Sequence, residues 1–438
     1  MLKVVKFGGS SLADAAQFEK VRQIITADPA RRVVVVSAPG KRFSADHKIT
    51  DLLYLCYAHL QYGVSAEGVF SMVVERYRSI VADCGLSADI DKEFLALYEK
   101  MQQGISQDEL VSRGEYFAAR LMAEYLGFDF LDAAEWLQFS FDGQIDREHS
   151  YEALRRIAED RSVVIPGFYG VMPDGHIKVL SRGGSDVTGA LAAAALGADV
   201  YENWTDVSGF LVTDPRIVKN PEVIESITYR ELRELSYMGA TVLHEDAIFP
   251  VRKEGIPINI KNTNRPEDKG TFIVESTCKK PKFTITGIAG KKGFCSINIE
   301  KSMMNSEVGF GRKVLQVFED QGISFEHVPS GIDTMTVYVH QDEFEEKEQQ
   351  VIAGIHRAVQ PDFVEMESDL ALIAVVGRGM KSTRGTAGRI FSALAHANVN
   401  VKMIDQGSSE LNIIIGVENR DFETAVKAIY DIFVITQI

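Results

Sequence analysis

The chain has 438 residues, and its 62 acidic and 47 basic side chains give a net charge of −15, which disfavours nucleic acid as a general partner. A chain of this length is expected to form about three domains. The four cysteines show no metal-type spacing and no apolar run reaches the roughly 20 residues that cross a bilayer, so we expect a soluble, cytoplasmic protein with reduced thiols and no membrane partner.

The first predicted element is a short strand that ends in a glycine turn. Lys6 lies near the end of the strand, and Gly8, Gly9 and Ser10 follow it. Glycines lack the Cβ atoms that would keep a phosphate away from the backbone, and the lysine adds a full positive charge beside them. The serines are expected to cap an amphipathic helix over residues 12–25. Taken alone, the turn is equally consistent with an ordinary connection between a strand and a helix.

Strands and helices alternate along the chain up to residue 276. Between residues 50 and 126 the pattern is almost entirely helical, which we interpret as an insertion that walls one side of a site. The alternation predicts a mostly parallel sheet covered by helices on both faces. Its further strands are predicted at 33–37, 163–166, 177–180, 199–204 and 256–261.

A second glycine turn follows the strand predicted at 177–180. Arg182 is followed by two glycines, Ser185 and Asp186, and then by a helix of small residues. A guanidinium can hold a carboxylate in a bidentate grip, so the turn suits a small anionic substrate. Ligands collect at the carboxyl ends of strands in open α/β sheets, and we therefore expect this turn to share a crevice with Lys6. A surface salt bridge at Arg182 and a helix cap at Asp186 are the alternatives.

A third cluster begins where the strand predicted at 199–204 ends. Thr205 and Asp206 are expected to contact a nucleotide, and Arg216 is expected to contact a phosphate. The chain contains no P-loop, no complete dinucleotide fingerprint and no protein-kinase motif set. A kinase of this sequence would therefore use another scaffold.

The tail of the chain contains an internal repeat. Equivalent positions in the two copies are 76 residues apart, as Ile323 and Val399 are. Each copy predicts a strand, a helix, a strand, a turn, a strand and a helix, as in a ferredoxin-like unit. A single larger α+β domain with accidental self-similarity is the alternative.

Together these motifs resemble the aspartate kinase family of the amino acid kinase superfamily, over essentially the whole chain. The resemblance implies an α/β fold, a three-layer α/β/α sandwich with a mostly parallel sheet over residues 1–276. A linker would follow at 277–282. Two ferredoxin-like (βαββαβ) ACT domains would come next, one over 294–367 and one built from 283–293 plus 368–438. The matching motifs are Lys6-Phe-Gly-Gly-Ser-Ser11, Lys48-Ile-Thr50-Asp-Leu-Leu53, Ser112-Arg-Gly-Glu115, Gly183-Gly-Ser-Asp186, Trp204-Thr-Asp-Val-Ser-Gly209, Thr213-Asp-Pro-Arg216 and Ile260-Lys-Asn-Thr263.

The resemblance implies transfer of the γ-phosphoryl group of ATP, with Mg²⁺ held mainly by the phosphates, to the side-chain carboxylate of L-aspartate. Lys6 would neutralise the charge on the transferring group, and Asp186 would orient the lysine. A carboxylate is already a nucleophile at neutral pH, so no general base is required. Substrate contacts are expected from Thr50, Glu115, Arg182 and Ser185, with Glu115 on the α-ammonium group. Nucleotide contacts are expected from Gly8, Gly9, Ser10, Thr205, Asp206, Arg216 and Lys261.

The resemblance also implies that the tail senses an amino acid at an interface between the ACT units of two subunits. L-lysine is the expected inhibitor, with threonine or combined control left open, and at least a dimer is expected. Glu326 stands where relatives often have aspartate. ACT units that only dimerise are the alternative. The expected effector contacts are Met304, Gly309, Phe310, Gly311, Glu326, Val328 and Ser330.

Two departures from the family pattern concern the nucleotide. Relatives often carry a lysine where this chain has Thr241 and an aromatic residue where it has Leu211. We expect both to alter nucleotide affinity more than the reaction, with partial compensation by Lys261. The competing functions are another amino acid kinase, acting on glutamate or N-acetylglutamate, and a catalytically inactive amino-acid sensor. No dehydrogenase region is expected, so the enzyme would be monofunctional.

Overall fold

The computed structural model describes residues 1–181, 183–240, 243, 245–277 and 281–436, which form two compact units. The first unit consists of Met1–Phe210, Val223–Tyr229 and Val242–Thr277. The second unit consists of Leu211–Glu222, Arg230–Thr241 and Cys278–Ile438. None of the described helices is both long enough and apolar enough to cross a bilayer.

Strands and helices alternate through the first part of the chain, as predicted. The strands are β1 (Lys3–Phe7), β2 (Arg31–Val36), β3 (Asp129–Phe130), β4 (Val163–Pro166), β5 (Tyr169–Val171), β6 (Ile177–Val179), β7 (Val200–Thr205), β8 (Ser226–Thr228), β9 (Ile258–Asn262) and β10 (Thr271–Val274). The helices are α1 (Ala15–Thr26), α2 (Ile49–Gln61), α3 (Glu67–Cys84), α4 (Ile90–Gln103), α5 (Gln107–Leu126), α6 (Arg147–Ala158), α7 (Gly184–Leu196), α8 (Tyr229–Tyr237) and α9 (Glu245–Lys253). Helices α2 to α5 confirm the predicted helical insertion.

The sheet of the first unit has the strand order β3-β4-β2-β1-β7-β9-β10-β8. Its neighbours pair in parallel except for β9 and β10, which are antiparallel. The four valines that close β2 are fully buried, as expected for a central strand covered on both faces. The predicted mostly parallel sheet is therefore confirmed.

The strand predicted at 177–180 does not belong to this sheet. It forms β6, which pairs only with β5 in a separate antiparallel hairpin. A turn closed by the Gly175 N–H on the Met172 carbonyl brings the two strands together. A short apolar run does not show which strand it will pair with, and here it pairs with the strand just before it in the sequence.

Helices cover both faces of the sheet. Val5, Phe7, Val34 and Trp204 lie on one face and share a hydrophobic core with α1 to α5. Lys6 and its neighbours in register lie on the opposite face, which packs against α7. This arrangement confirms the three-layer sandwich.

The predicted serine cap of the first helix is wrong. Residues Gly9–Leu12 form a 3₁₀ turn, and α1 begins only at Ala15. The side chain of Asp14 caps α1 by accepting from the Gln17 N–H at 3.0 Å. Ser11 instead shares a buried hydrogen bond of 2.7 Å between its Oγ and Oγ1 of Thr263.

The second unit contains an antiparallel sheet with the strand order β12-β13-β11-β14-β16-β15. Its strands are β11 (Gly287–Glu300), β12 (Phe325–His327), β13 (Thr334–His340), β14 (Phe363–Val376), β15 (Met403–Asp405) and β16 (Asn412–Glu418). Its helices are α10 (Phe310–Asp320), α11 (Gln341–Glu345), α12 (Glu348–Val359), α13 (Thr386–His396) and α14 (Phe422–Tyr430), the last continued by a π-helical turn over Asp431–Ile435.

The internal repeat is visible in this sheet. Helices α10 and α13 follow equivalent glycines, Gly309 and Gly385, whose φ angles are 83° and 80°. The long strands β11 and β14 lie side by side, so that each copy uses half of each strand. The segment predicted to contribute to the second copy, 283–293, enters β11 at Gly287 and pairs with the end of β14. Two ferredoxin-like units are therefore confirmed.

Candidate active site

Lys6 and Asp186 form a buried ion pair at the end of β1. The lysine is only 7% exposed, and its Nζ lies 2.7 Å from Oδ1 of Asp186. Asp186 belongs to the first turn of α7, where the helix dipole favours a negative charge. Lys6 and Asp186 therefore lie in contact, and their catalytic and orienting roles stay predictions; Asp186 is not the N-cap of its helix.

Asn203, which no sequence motif marked, completes this cluster. Asn203 lies beside Lys6 in the parallel register of β1 and β7, and it is 4% exposed. Its Nδ2 donates to Oδ1 of Asp186 at 2.7 Å, the same oxygen that receives Lys6. Two adjacent polar residues, Glu202 and Asn203, in a buried strand were the available signal.

The glycine turn after β1 packs directly on the loop after β2. Gly40 donates its N–H to the Gly9 carbonyl at 2.7 Å. A Cβ at Gly9 would lie 2.8 Å from the Ala38 carbonyl, so no larger residue fits there. A Cβ at Gly8 would lie 3.5 Å from Nζ of Lys6, which places the ammonium group over the turn. Backbone and one cation thus form the cradle that the sequence predicts, with Ser10 in its 3₁₀ turn.

Glu115 projects from α5 toward the same loop. The side chain is buried, with 4% exposure, and the backbone N–H of Ala38 donates to its carboxylate. Within the described part of the chain its Oε2 has no hydrogen-bond partner. Burial raises the pKa of Glu115 to about 8. Such a buried carboxylate suits a cationic ligand, because none of the described residues forms an ion pair with it.

A buried arginine anchors the loop between β2 and α2. Arg76 of α3 is 5% exposed and donates to the Gly40 carbonyl at 2.8 Å and to Asp46 at 2.6 Å. Burial lowers the pKa of Arg76. The loop ends where the Ile49 N–H donates to the Pro39 carbonyl, and Thr50 follows as the second residue of α2. No local motif marks Arg76, because its partners are distant in sequence.

Ser185 lies at the start of α7, next to the end of β4. A Cβ at Gly167 would come within 2.6 Å of the Ser185 Cβ, and the Gly167 N–H donates to the Val36 carbonyl at 2.9 Å. The carboxyl ends of β1, β2, β4 and β7 thus converge with the start of α7. Arg182 lies outside the described residues, and its binding to a substrate carboxylate stays a prediction.

The predicted nucleotide residues are more dispersed. Thr205 ends β7 and its Oγ1 donates to Asp206, which is exposed, at 3.3 Å. Arg216 belongs to the second unit, where its 89% exposed side chain pairs with Asp214 at 2.6 Å. Hydrogen bonds from Arg216 lower the pKa of Asp214. The contribution of these residues to nucleotide binding stays a prediction.

Lys261 lies on the opposite face of the sheet from Lys6. It neighbours Trp204 in register, and its Nζ lies 5.1 Å from the centre of the indole ring. The ammonium group donates to the Asp268 carbonyl at 2.9 Å, and burial lowers the pKa of Lys261. Because Thr241 lies outside the described residues, the proposed compensation between these two positions stays a prediction.

The predicted effector residues follow one another in the first repeat of the second unit. Glu326 in β12 has a side chain that is 6% exposed, and Nε2 of His340 lies 3.2 Å from its Oε1. Tyr237 at the end of α8 donates its hydroxyl to the same carboxylate, and burial together with this bond raises the pKa of Tyr237 to about 12. The other predicted contacts are Met304 in a 3₁₀ turn, Gly309, Phe310 and Gly311 at the start of α10, and Val328 and Ser330 after β12.

Comparison with known proteins yields one family along the chain. Residues 1–262 match the amino acid kinase family, and residues 373–433 match an ACT domain family. Aspartokinase 3 of Bacillus subtilis strain 168 is 42% identical over 448 residues, which cover 99% of this chain and 98% of that protein.

Solved structures agree with this. The aspartate kinase of Clostridium acetobutylicum, described as an important allosteric enzyme, is 51% identical with a TM-score of 0.89, over 98% of this chain and 99% of that one. Aspartokinase III of E. coli, solved in complex with aspartate and ADP, is 25% identical with a TM-score of 0.71, also over 98% and 99% of the two chains.

Proposed function

Because the chain belongs to the amino acid kinase family, and within it to the aspartokinases, we propose that it transfers the γ-phosphoryl group of ATP to the β-carboxylate of L-aspartate. The product is 4-phospho-L-aspartate, which would enter the biosynthesis of lysine, threonine and methionine. The E. coli relative solved with aspartate and ADP supports this choice of substrates.

The observation that carries the proposal is the buried Glu115 carboxylate beside the glycine turn, whose Oε2 has no hydrogen-bond partner among the described residues. Ala38 donates to Glu115 on one side, and its carbonyl packs against Gly9 on the other. One short loop therefore joins a site for an ammonium group to a cradle for phosphates. An α-amino acid bound through its ammonium group would place its side-chain carboxylate toward the transferring phosphoryl group.

The transfer needs no proton movement on the enzyme. A β-carboxylate oxygen of aspartate forms a bond to the γ-phosphorus, and the bond from that phosphorus to the bridging oxygen breaks. ADP leaves with the electron pair. Lys6, held by Asp186 at 2.7 Å, offsets the negative charge on the transferring group, and the backbone of Gly8 and Gly9 lets the phosphates approach closely.

Magnesium, carried by the nucleotide phosphates, would offset their charge further. The described residues include no group of three or more His, Cys, Asp or Glu side chains suited to a metal ion. Asp206, exposed at the end of β7, is the carboxylate that we propose to lie nearest the hydrated ion.

Trapping the acyl phosphate as a hydroxamate tests the proposal. Aspartate, glutamate and N-acetylglutamate are compared as acceptors with ATP and magnesium. We expect hydroxamate with aspartate and at most trace product with the other two acids. Turnover of glutamate or N-acetylglutamate alone would assign a different amino acid kinase, and no product with any acceptor would leave an inactive sensor.

We also propose that L-lysine inhibits the enzyme through the ACT units of a homo-oligomer. Support comes from the two ACT repeats and from the allosteric description of the Clostridium acetobutylicum relative. Glu326 would meet the side-chain ammonium of lysine, in exchange for its present contacts with Tyr237 and His340. Titration of turnover with lysine and with threonine, combined with light scattering for oligomer size, tests both parts.

A further inference from the structure

Oδ1 of Asp186 receives two donors of different character. Nζ of Lys6 approaches it at 2.7 Å, and Nδ2 of Asn203 donates to it at 2.7 Å. The lysine is flexible and charged, whereas the asparagine is short, neutral and fixed in the middle of β7. All three side chains lie on the face of the sheet that packs against α7.

We propose that Asn203 is a positioning residue for phosphoryl transfer, whose amide fixes the Asp186 carboxylate so that Lys6 is held over the glycine turn. The inference rests on the proposed function. Two donors hold the Asp186 carboxylate in one orientation. This orientation in turn fixes the position of the Lys6 ammonium group that pairs with it. Without the amide the carboxylate can rotate, and the ammonium group can leave the point where the transferring phosphoryl group requires charge.

A neutral side chain suits the position of Asn203. A cation at this position would compete with Lys6 for Asp186, and a carboxylate would draw Lys6 toward β7. Among the described residues, the charged groups that face the amide are Lys6 from β1 and Asp186 from α7. On the same face of β7, the Tyr201 hydroxyl donates to the Asp186 main-chain carbonyl at 3.1 Å, and burial keeps it neutral by raising its pKa.

Two substitutions test the role. Asn203→Leu keeps the shape and removes the donor, and we expect kcat to fall about tenfold or more while KM for aspartate changes by less than about twofold. Asn203→Asp replaces the amide with a group that donates only when protonated. Its kcat relative to wild type is expected to rise several-fold from about pH 9 to about pH 6, as the new carboxyl group gains its proton.

The matched control is Asn259, a buried asparagine of β9 that is 6% exposed and lies on the other face of the sheet. Asn259→Asp should show no such recovery at low pH. A kcat for Asn203→Leu within about twofold of wild type, or a flat pH ratio for Asn203→Asp, would overturn the inference. If Asn203→Leu does not fold, the pH ratio of Asn203→Asp decides. Wild-type protein that does not phosphorylate aspartate would remove the proposed function instead.

Discussion

Replacing Glu115 with glutamine removes a buried carboxylate whose pKa lies far above its ordinary value. Burial raises this pKa from 4.5 to about 8. Each pKa unit is worth about 1.36 kcal/mol, so the difference between the folded and unfolded states corresponds to about 5 kcal/mol at most. The folded state binds the proton more tightly. Glu115 therefore contributes stability that is fully present below about pH 4.5 and is lost as the pH rises through about 8.

Urea denaturation across this pH window measures the effect. Relative to wild type, Glu115→Gln should gain unfolding free energy steadily from about pH 5 to about pH 9, by a few kcal/mol in total. Glu99→Gln, at an exposed position of α4, is the control and should follow wild type within about 0.5 kcal/mol at every pH.

Aspartate binding offers a second measurement of the same carboxylate. At pH 7 a group with a pKa of about 8 is about nine-tenths protonated, and an ammonium ligand would displace that proton. Calorimetry in buffers of different ionisation enthalpy should therefore record release of about 0.9 proton per site in wild type and almost none in Glu115→Gln. Binding to wild type without proton release, or equal release by the variant, would refute an ammonium site at Glu115.

The remaining predictions concern charge at three other places. Lys6→Ala should lower kcat by about 10² or more while the protein still binds lysine. The control Lys3→Ala, which removes a lysine paired on the opposite face of β1, should not lower kcat in this way. Equal losses of kcat in the two variants would remove Lys6 from the mechanism. Arg76→Leu should cost about 1–3 kcal/mol of unfolding free energy in urea, because the buried Gly40 carbonyl loses its donor while Asp46 keeps only its pairing with Arg42; a cost below about 0.5 kcal/mol would contradict this anchoring role. Glu326→Gln should weaken the affinity for lysine, measured by calorimetry, at least about tenfold. Glu365→Gln, at an exposed position of β14, should leave this affinity unchanged. Unaltered affinity in both variants would exclude Glu326 from the effector site.

Several features of the site could be predicted from the chain alone because they are local. The glycine turn after Lys6 and the start of α7 at Gly184 follow from residues within a few positions of one another. The repeat in the tail was visible because equivalent residues recur at a constant interval. The error at the first helix was local as well, since a 3₁₀ turn intervened and Asp14 became the cap.

Contacts between distant segments were not predictable in this way. Asn203 meets Asp186 only because β7 lies beside β1 in a register that aligns it with Lys6. Arg76 reaches the loop after β2 only through the packing of α3. The position before Lys261 in β9 shares a face of the sheet with Lys6. Because side chains alternate between the two faces along a strand, Lys261 lies on the other face.

The sequence by itself determined the strands β1, β2, β4, β6, β7 and β9, the helical insertion, the two glycine turns and the repeated units of the tail, because periodicity and backbone freedom are properties of short segments. Only the tertiary structure decided that, among the residues it describes, a buried oxygen of Glu115 has no hydrogen-bond partner and that Asp186 is shared by Lys6 and Asn203. Both outcomes depend on desolvation and on strand register, and these arise only when separate segments pack together.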